Sequence, residues 1–126
     1  NLTSAQLRKT NLRGAILKWA DLNGAFLNEA DLTGADMFRS NLVRTQMTGT
    51  ILNTANMSLT NMSEASVTNA DLTGATLSDA VVSDKNWLAH LAEWQVTGAN
   101  EIQIEYKLEE EIFNTKPLYR LKKVKH

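Results

Sequence analysis

The sequence predicts an all-β solenoid with a short C-terminal cap, and three observations carry that prediction. From Leu2 to Val82 every fifth residue is Leu, Met or Val, with no slip of register. From Ala5 to Ala80 every fifth residue is small: Ala, Thr (Thr10, Thr45, Thr50, Thr60) or Ser40. Five is also the period of neither regular element. Five residues carry an α-helix about 140° past one revolution, which would spread the leucines over every face. In a flat strand, residues five apart point to opposite faces.

One shape satisfies the pattern. The small residue and the central Leu lie two apart, so both point inward across one short extended piece, and the next two residues turn the chain. Gly14, Gly24, Gly34, Gly49 and Gly74 fall in that corner, where backbone freedom is useful. Such a coil buries its leucines only by stacking on another coil about 4.8 Å away. The unit Asp31-Leu32-Thr33-Gly34-Ala35 recurs unchanged as Asp71-Leu72-Thr73-Gly74-Ala75, forty residues on. Forty is a multiple of twenty and not of fifteen, which favours four sides per coil over three. Folding at twenty gives uniform columns, Leu12, Leu32, Leu52 and Leu72 beside Ala15, Ala35, Ala55 and Ala75.

In their A(D/N)LXX pattern, residues 1–84 resemble the pentapeptide-repeat proteins. The resemblance implies a right-handed quadrilateral β-helix of about four coils. Met37, Met47, Met57 and Met62 depart from the usual central Leu, and Met is a flexible filler. The regular solenoid, the lack of legible chemistry and an aromatic-basic outer face point to a role without catalysis, as a protein-interaction scaffold or structural module. An alternative is carried by the same resemblance: some members mimic DNA, bind type II topoisomerases and confer quinolone resistance. That role uses a strongly acidic surface, often with loops projecting from the coils. Residues 1–85 hold eight acidic and seven basic side chains, and no loop interrupts the register, so both features weaken the alternative.

Residues 85–126 read as the C-terminal cap. Ser83 or Asp84 is a candidate N-cap for a helix over about 85–96, which Gly98 can stop. Trp87, Leu88, Leu91 and Trp94 share one stripe of it, and Trp87 continues the five-residue register from Val82. The stripe covers the solenoid end or forms a homodimer interface there, as capping helices of some family members do. Residues 100–107 fit a second helix or, by the alternation of Ile102, Ile104, Tyr106 and Leu108, a strand. A β-hairpin is expected over about 108–124, turning at Asn114-Thr115-Lys116-Pro117. In it Glu109 and Glu111 would face Arg120 and Lys122. The run Lys122 to Lys125 reads as a solvated strand edge, too short to mark a nucleic-acid site.

No catalytic or cofactor site is legible. There is no Cys, hence no thiolate metal site, disulfide or cysteine nucleophile. Of the two histidines, His90 falls on the capping helix and His126 ends the chain, as a native residue or the stub of a tag. A Ser-His-Asp arrangement would need His90 beside Ser83 and Asp84, which are neighbours only in sequence. Asp21, Asp31, Asp36 and Asp71 follow the repeat and are expected to bond turn backbone. The net charge of −1 gives no bulk reason to bind nucleic acid or an anionic membrane. No apolar run approaches the roughly 20 residues that span a bilayer. A soluble protein is expected, the cytoplasm slightly favoured. The chain opens inside its own repeat without Met, so an upstream targeting segment stays open.

The outward positions point to a protein contact. Folding at twenty gathers Ile16, Lys18, Trp19, Phe38, Arg39 and Leu59 on one face, while other outward positions are mainly Asn, Thr, Ser and Gly. Aromatic and aliphatic side chains flanked by bases have the makeup of a contact site for a partner or a second copy.

Overall fold

The structure, a computed structural model, describes residues 1–125; His126 lies outside them. Parallel bridges join residues twenty apart. Asn11 pairs with Asp31, Asp31 with Ile51 and Ile51 with Asp71. The same step links Gln6 to Phe26, Ile16 to Asp36 and Asp21 to Asn41 on the other three sides. Residues 1–80 therefore make four coils of four five-residue sides.

Each corner has the same chemistry. In Leu22-Asn23-Gly24-Ala25 the Ala25 N–H donates to the Leu22 carbonyl at 2.9 Å, closing a four-residue turn. The third turn residue has positive φ at all sixteen corners from Ser4 to Asp79, and only five of these are glycine. Positive φ at that place alone marks a type II turn. The left-handed backbone costs an L-residue roughly 1–2 kcal/mol. The stack holds it in place: the Trp19 N–H donates to Phe38 O at 2.9 Å, Arg39 to Ser58 O at 3.0 Å and Leu59 to Ser78 O at 2.9 Å. Where an Asp or Asn precedes the central residue, it secures the turn from the other side. Asp31 Oδ1 accepts the Thr33 N–H at 3.0 Å, and Asp71 and Asn41 do the same for Thr73 and Val43. These side chains bind turn backbone, which explains their period.

Inside the tube, Leu22, Leu27, Leu32, Met37, Leu42, Met47, Leu52 and Met57 are wholly buried. Full burial of such a side chain contributes roughly 1.5–3 kcal/mol. Thr45, Thr50 and Thr60 replace Ala there and donate their hydroxyls to the carbonyls of Leu42, Leu27 and Met57 at 2.7–2.9 Å. Ser40 Oγ, equally buried, has no partner among the described residues.

The last coil runs into β1 (Val81–Val82), α1 (Trp87–Glu93), α2 (Ala99–Glu105), β2 (Tyr106–Phe113) and β3 (Lys116–Lys123). Together they rebuild a fifth layer from dissimilar parts. Residues 94–97 replace one solenoid side, with the Asn69 N–H donating to Trp94 O and Leu72 to Thr97 O. The Tyr106 hydroxyl accepts the Leu77 N–H at 3.0 Å, and Leu121 O accepts the Asp79 N–H at 2.8 Å. Trp87, Leu91, Val96, Ile102, Tyr106 and Leu121 are buried against the core beneath.

The structure revises two expectations for this region, settles one left open and adds a strand to the hairpin. First, α1 is capped at Asn86, because the Ser83 hydroxyl accepts the Glu64 N–H and Asp84 Oδ1 accepts that of Asn86. Second, α1 ends at Glu93, with Trp94 as its C-cap and Gln95 left-handed, and Gly98 (φ 91°) starts α2 instead of stopping α1. A Cβ on Gly98 would sit 3.0 Å from the Thr73 nitrogen, so its backbone is pressed onto the solenoid. Third, 99–105 is helical, since that period buries Ala99 and Ile102 and leaves Ile104 67% exposed, against the strand alternation. Fourth, β3 is the central strand of the sheet order β1-β3-β2, pairing Val81 with Arg120 and Val82 with Tyr119. β1 reaches only Tyr119 and Arg120 of β3, so the run Lys122 to Lys125 lies beyond that pairing, with Lys123 and Lys125 exposed. Glu109 lies opposite Arg120 in register, as expected, and the Arg120 side chain leans to Glu111, through Nε–Oε2 (2.5 Å) and NH2–Oε1 (3.0 Å). Lys122 reaches back to Asp79 at 2.6 Å, and Glu109 lies beside Lys107 at 3.5 Å.

Candidate functional site

The four corner columns differ in composition. One holds Gly14, Gly34, Thr54 and Gly74; a second holds Ser4, Gly24, Arg44 and Glu64; a third holds Lys9, Glu29, Gly49 and Asn69. The fourth holds Trp19, Arg39, Leu59 and Asp79, with φ of 60°, 57°, 59° and 62° and no glycine. Trp19 and Leu59 are the two bulky apolar residues among all sixteen corners.

Stacking brings three of the sequence-predicted residues into direct contact. The Trp19 and Phe38 rings meet edge to face with centroids 6.5 Å apart. The Arg39 guanidinium lies 4.9 Å from the Trp19 centroid and 5.6 Å from that of Phe38. Trp19 is 67% exposed and Phe38 half-buried. Ile16 stands on the same side of the first coil, 79% exposed. Lys18 is turned to Asp36 at 3.5 Å. Leu59 is half-buried and lines a groove of about 470 Å³ with Arg39, Val81, Phe113, Leu118 and Arg120.

Phe113 and Leu118 were not among the sequence candidates. They belong to the hairpin, some fifty residues from Leu59, and no periodicity links them to the repeat. The pairing of β3 with β1 swings the hairpin beside the corner column. Only the short apolar run Ile112-Phe113 ahead of a turn hinted at exposure, and Ile112 is 66% and Phe113 45% exposed.

The cap-helix residues divide. Trp87 (3%) and Leu91 (0%) are spent inside the chain, sealing the fourth coil. Leu88 and Trp94 are half-buried against the same core, with the Trp94 ring 5.2 Å from His90. His90 Nδ1 meets Asp84 Oδ2 at 2.5 Å, so this His and Asp do come together, while the Ser83 hydroxyl is engaged with Glu64. No group of three or more His, Asp or Glu among the described residues is placed to hold a metal ion. No helix among them is long and apolar enough to cross a membrane.

The coil geometry and the corner chemistry define a repeat scaffold, and the chain belongs to the pentapeptide-repeat family. The Pentapeptide repeats family model matches residues 1–37 and 40–79 in eight copies. No curated protein matches the chain. Among solved structures, it is similar to a pentapeptide repeat protein of the Arabidopsis thaliana thylakoid lumen, with 21% identity, TM-score 0.56, and coverage of 72% of this chain and 70% of that one. It is similar too to one from the cyanobacterium Cyanothece 51142, with 22% identity, TM-score 0.51, and coverage of 75% of this chain. The chain spans about half (51%) of the length of the Cyanothece protein. At these identities the likeness supports the fold, the right-handed quadrilateral β-helix.

Proposed function

We propose that the chain is a non-catalytic protein-interaction scaffold whose contact surface is the corner column of Trp19, Arg39 and Leu59, with Phe38 beside it. One observation carries this reading. The two bulky apolar corner residues fall in one column, and it is the column without glycine. The twelve corners of the other three columns are all Gly, polar or charged. Trp19 instead bears left-handed strain and still leaves two thirds of its surface in water, so fold stability does not account for it. Trp and Arg also dominate the binding energy of protein contacts.

The test is the double variant Trp19→Gly/Leu59→Gly. Glycine relieves about 1–2 kcal/mol of left-handed strain per site and returns about 0.5–1 kcal/mol as lost chain entropy. The variant should therefore fold with an unchanged circular dichroism spectrum. It should lose the partner that the wild type captures from cells of its source, or the wild type's self-association by light scattering. A variant that keeps both sinks the proposal. Self-association through the C-terminal end is less favoured, because Trp87 and Leu91 are already buried within the chain.

The DNA-mimic alternative needs a continuous acidic face. Here Glu29, Asp31, Asp36 and Glu64 each sit beside a base, Lys9, Arg13, Lys18 and Arg44, at 2.8–3.6 Å. These pairs alternate sign along the faces and favour the scaffold reading. A DNA gyrase supercoiling assay with a quinolone present should show no protection by this chain.

A further inference from the structure

We propose, resting on the contact surface just described, that the groove between the Arg39–Leu59 column and the hairpin seats an extended segment of another protein bearing a carboxylate beside an apolar side chain. Leu59, Phe113 and Leu118 supply the apolar walls. The two arginines of the groove differ in what they have left to give. Arg120 is spent, with Nε and NH2 on Glu111 and NH1 on the Asp79 carbonyl at 2.7 Å. The Arg39 guanidinium lies beside the Trp19 and Phe38 rings, and among the described residues it meets no carboxylate.

Charge complementarity names the occupant. Lys9, Arg13, Lys18 and Arg44 of the same solenoid each have a carboxylate, whereas among the described residues Arg8 and Arg39 have none; of these two, Arg39 borders the groove of Leu59, Phe113 and Leu118. A guanidinium held beside aromatic rings by cation–π contact keeps N–H donors in a fork that fits a carboxylate. Two rings holding that fork reduce the side-chain entropy lost on binding. A basic segment would meet Arg39 as a like charge. A wholly apolar one would strip water from Arg39 with no return.

The experiment is fluorescence anisotropy on the full chain with a fluorescein-labelled Ser-Glu-Leu-Asp-Phe-Glu-Ser peptide, its Gln/Asn counterpart and its Lys counterpart. The acidic peptide should bind at least about tenfold tighter than the amide peptide, and Arg39→Gln should remove about tenfold. Equal affinity for acidic and amide peptides, or an Arg39→Gln variant that binds as the wild type does, overturns the proposal. If the amide peptide binds equally and Leu59→Gly abolishes both, the contact surface stands and its acidic partner falls. If Trp19→Gly and Leu59→Gly leave all peptide binding unchanged, the surface itself falls as well. A peptide-free dimer by light scattering that Arg39→Gln dissolves assigns the groove to a second copy, which also overturns the proposal.

Discussion

The two ends of the solenoid meet the same physical problem with different means. The fourth coil is closed by α1, α2 and the hairpin, and its edge amides at Asn69, Leu72, Leu77 and Asp79 find acceptors in Trp94, Thr97, Tyr106 and Leu121. The first coil has no layer against its outer side among the described residues, and Leu2, Leu7, Leu12 and Leu17 are only half-buried there. One sequence rule thus yields wholly buried leucines in the second coil and half-exposed ones in the first. The five-residue code specifies which way a side chain points; burial depends on having a neighbour above and below.

The largest break of that contrast should come from the cap. Leu91→Ala empties a fully buried site and should cost about 2–5 kcal/mol in urea unfolding. Leu12→Ala, half-buried in the first coil, should cost about 1 kcal/mol. Equal losses would mean that the first coil is as tightly packed as the cap.

Glycine substitution sharpens the comparison at a smaller scale. Gly98→Ala forces a Cβ to 3.0 Å from the Thr73 nitrogen and 3.2 Å from the Leu72 carbonyl carbon at φ 91°. It should cost about 2–4 kcal/mol through strain and overpacking. Gly14→Ala meets nothing within 4 Å, at φ 68°. It should cost under about 1 kcal/mol, since strain is offset by a less flexible unfolded chain. Thermal unfolding of the two variants compares them directly.

Between the ends, Ser40→Ala removes a buried hydroxyl that has no partner and restores the repeat's small apolar residue. It should stabilise the chain by about 1 kcal/mol in the same urea titration. A loss instead would show that the hydroxyl has a hydrogen-bond partner in solution.

The smallest effect should be confined to acid. The Arg120 hydrogen bond holds the Glu111 carboxyl below its ordinary 4.5. A depressed folded pKa contributes stability that is present above 4.5 and fades as pH falls through the folded value. Glu111→Gln should therefore flatten the acid limb of stability below about pH 4.5, leaving its slope near neutrality unchanged. Amide exchange of β2 and β3, followed by NMR, would locate the change in the hairpin.

Much of this architecture was legible in the chain because the repeat is local. Leu32 points inward since it sits two residues from Ala30 across one extended side, and Asp31 precedes it because its carboxylate accepts the Thr33 amide. Such relations span five residues, or twenty across the stack, and a period records them. The outer face obeys the same step, so spacing alone gathers Trp19, Phe38 and Arg39. What the period could not convey was the left-handed backbone at Trp19 and Leu59, which follows from the turn geometry shared by every corner.

Residues past Val82 carry no repeat, and there the tertiary structure decided. Whether 99–105 coils or extends was settled by burying Ala99 and Ile102 against the core. Whether β3 is an edge or a centre was settled by Val81 and Val82 offering it a partner strand. That pairing also put Phe113 and Leu118 beside Leu59. The sequence by itself determined a tube of five-residue sides with its leucines inside, because those sides leave one way to bury them. The tertiary structure alone determined how the tube is closed and which hairpin borders its exposed arginine, because those contacts join residues that no local pattern relates.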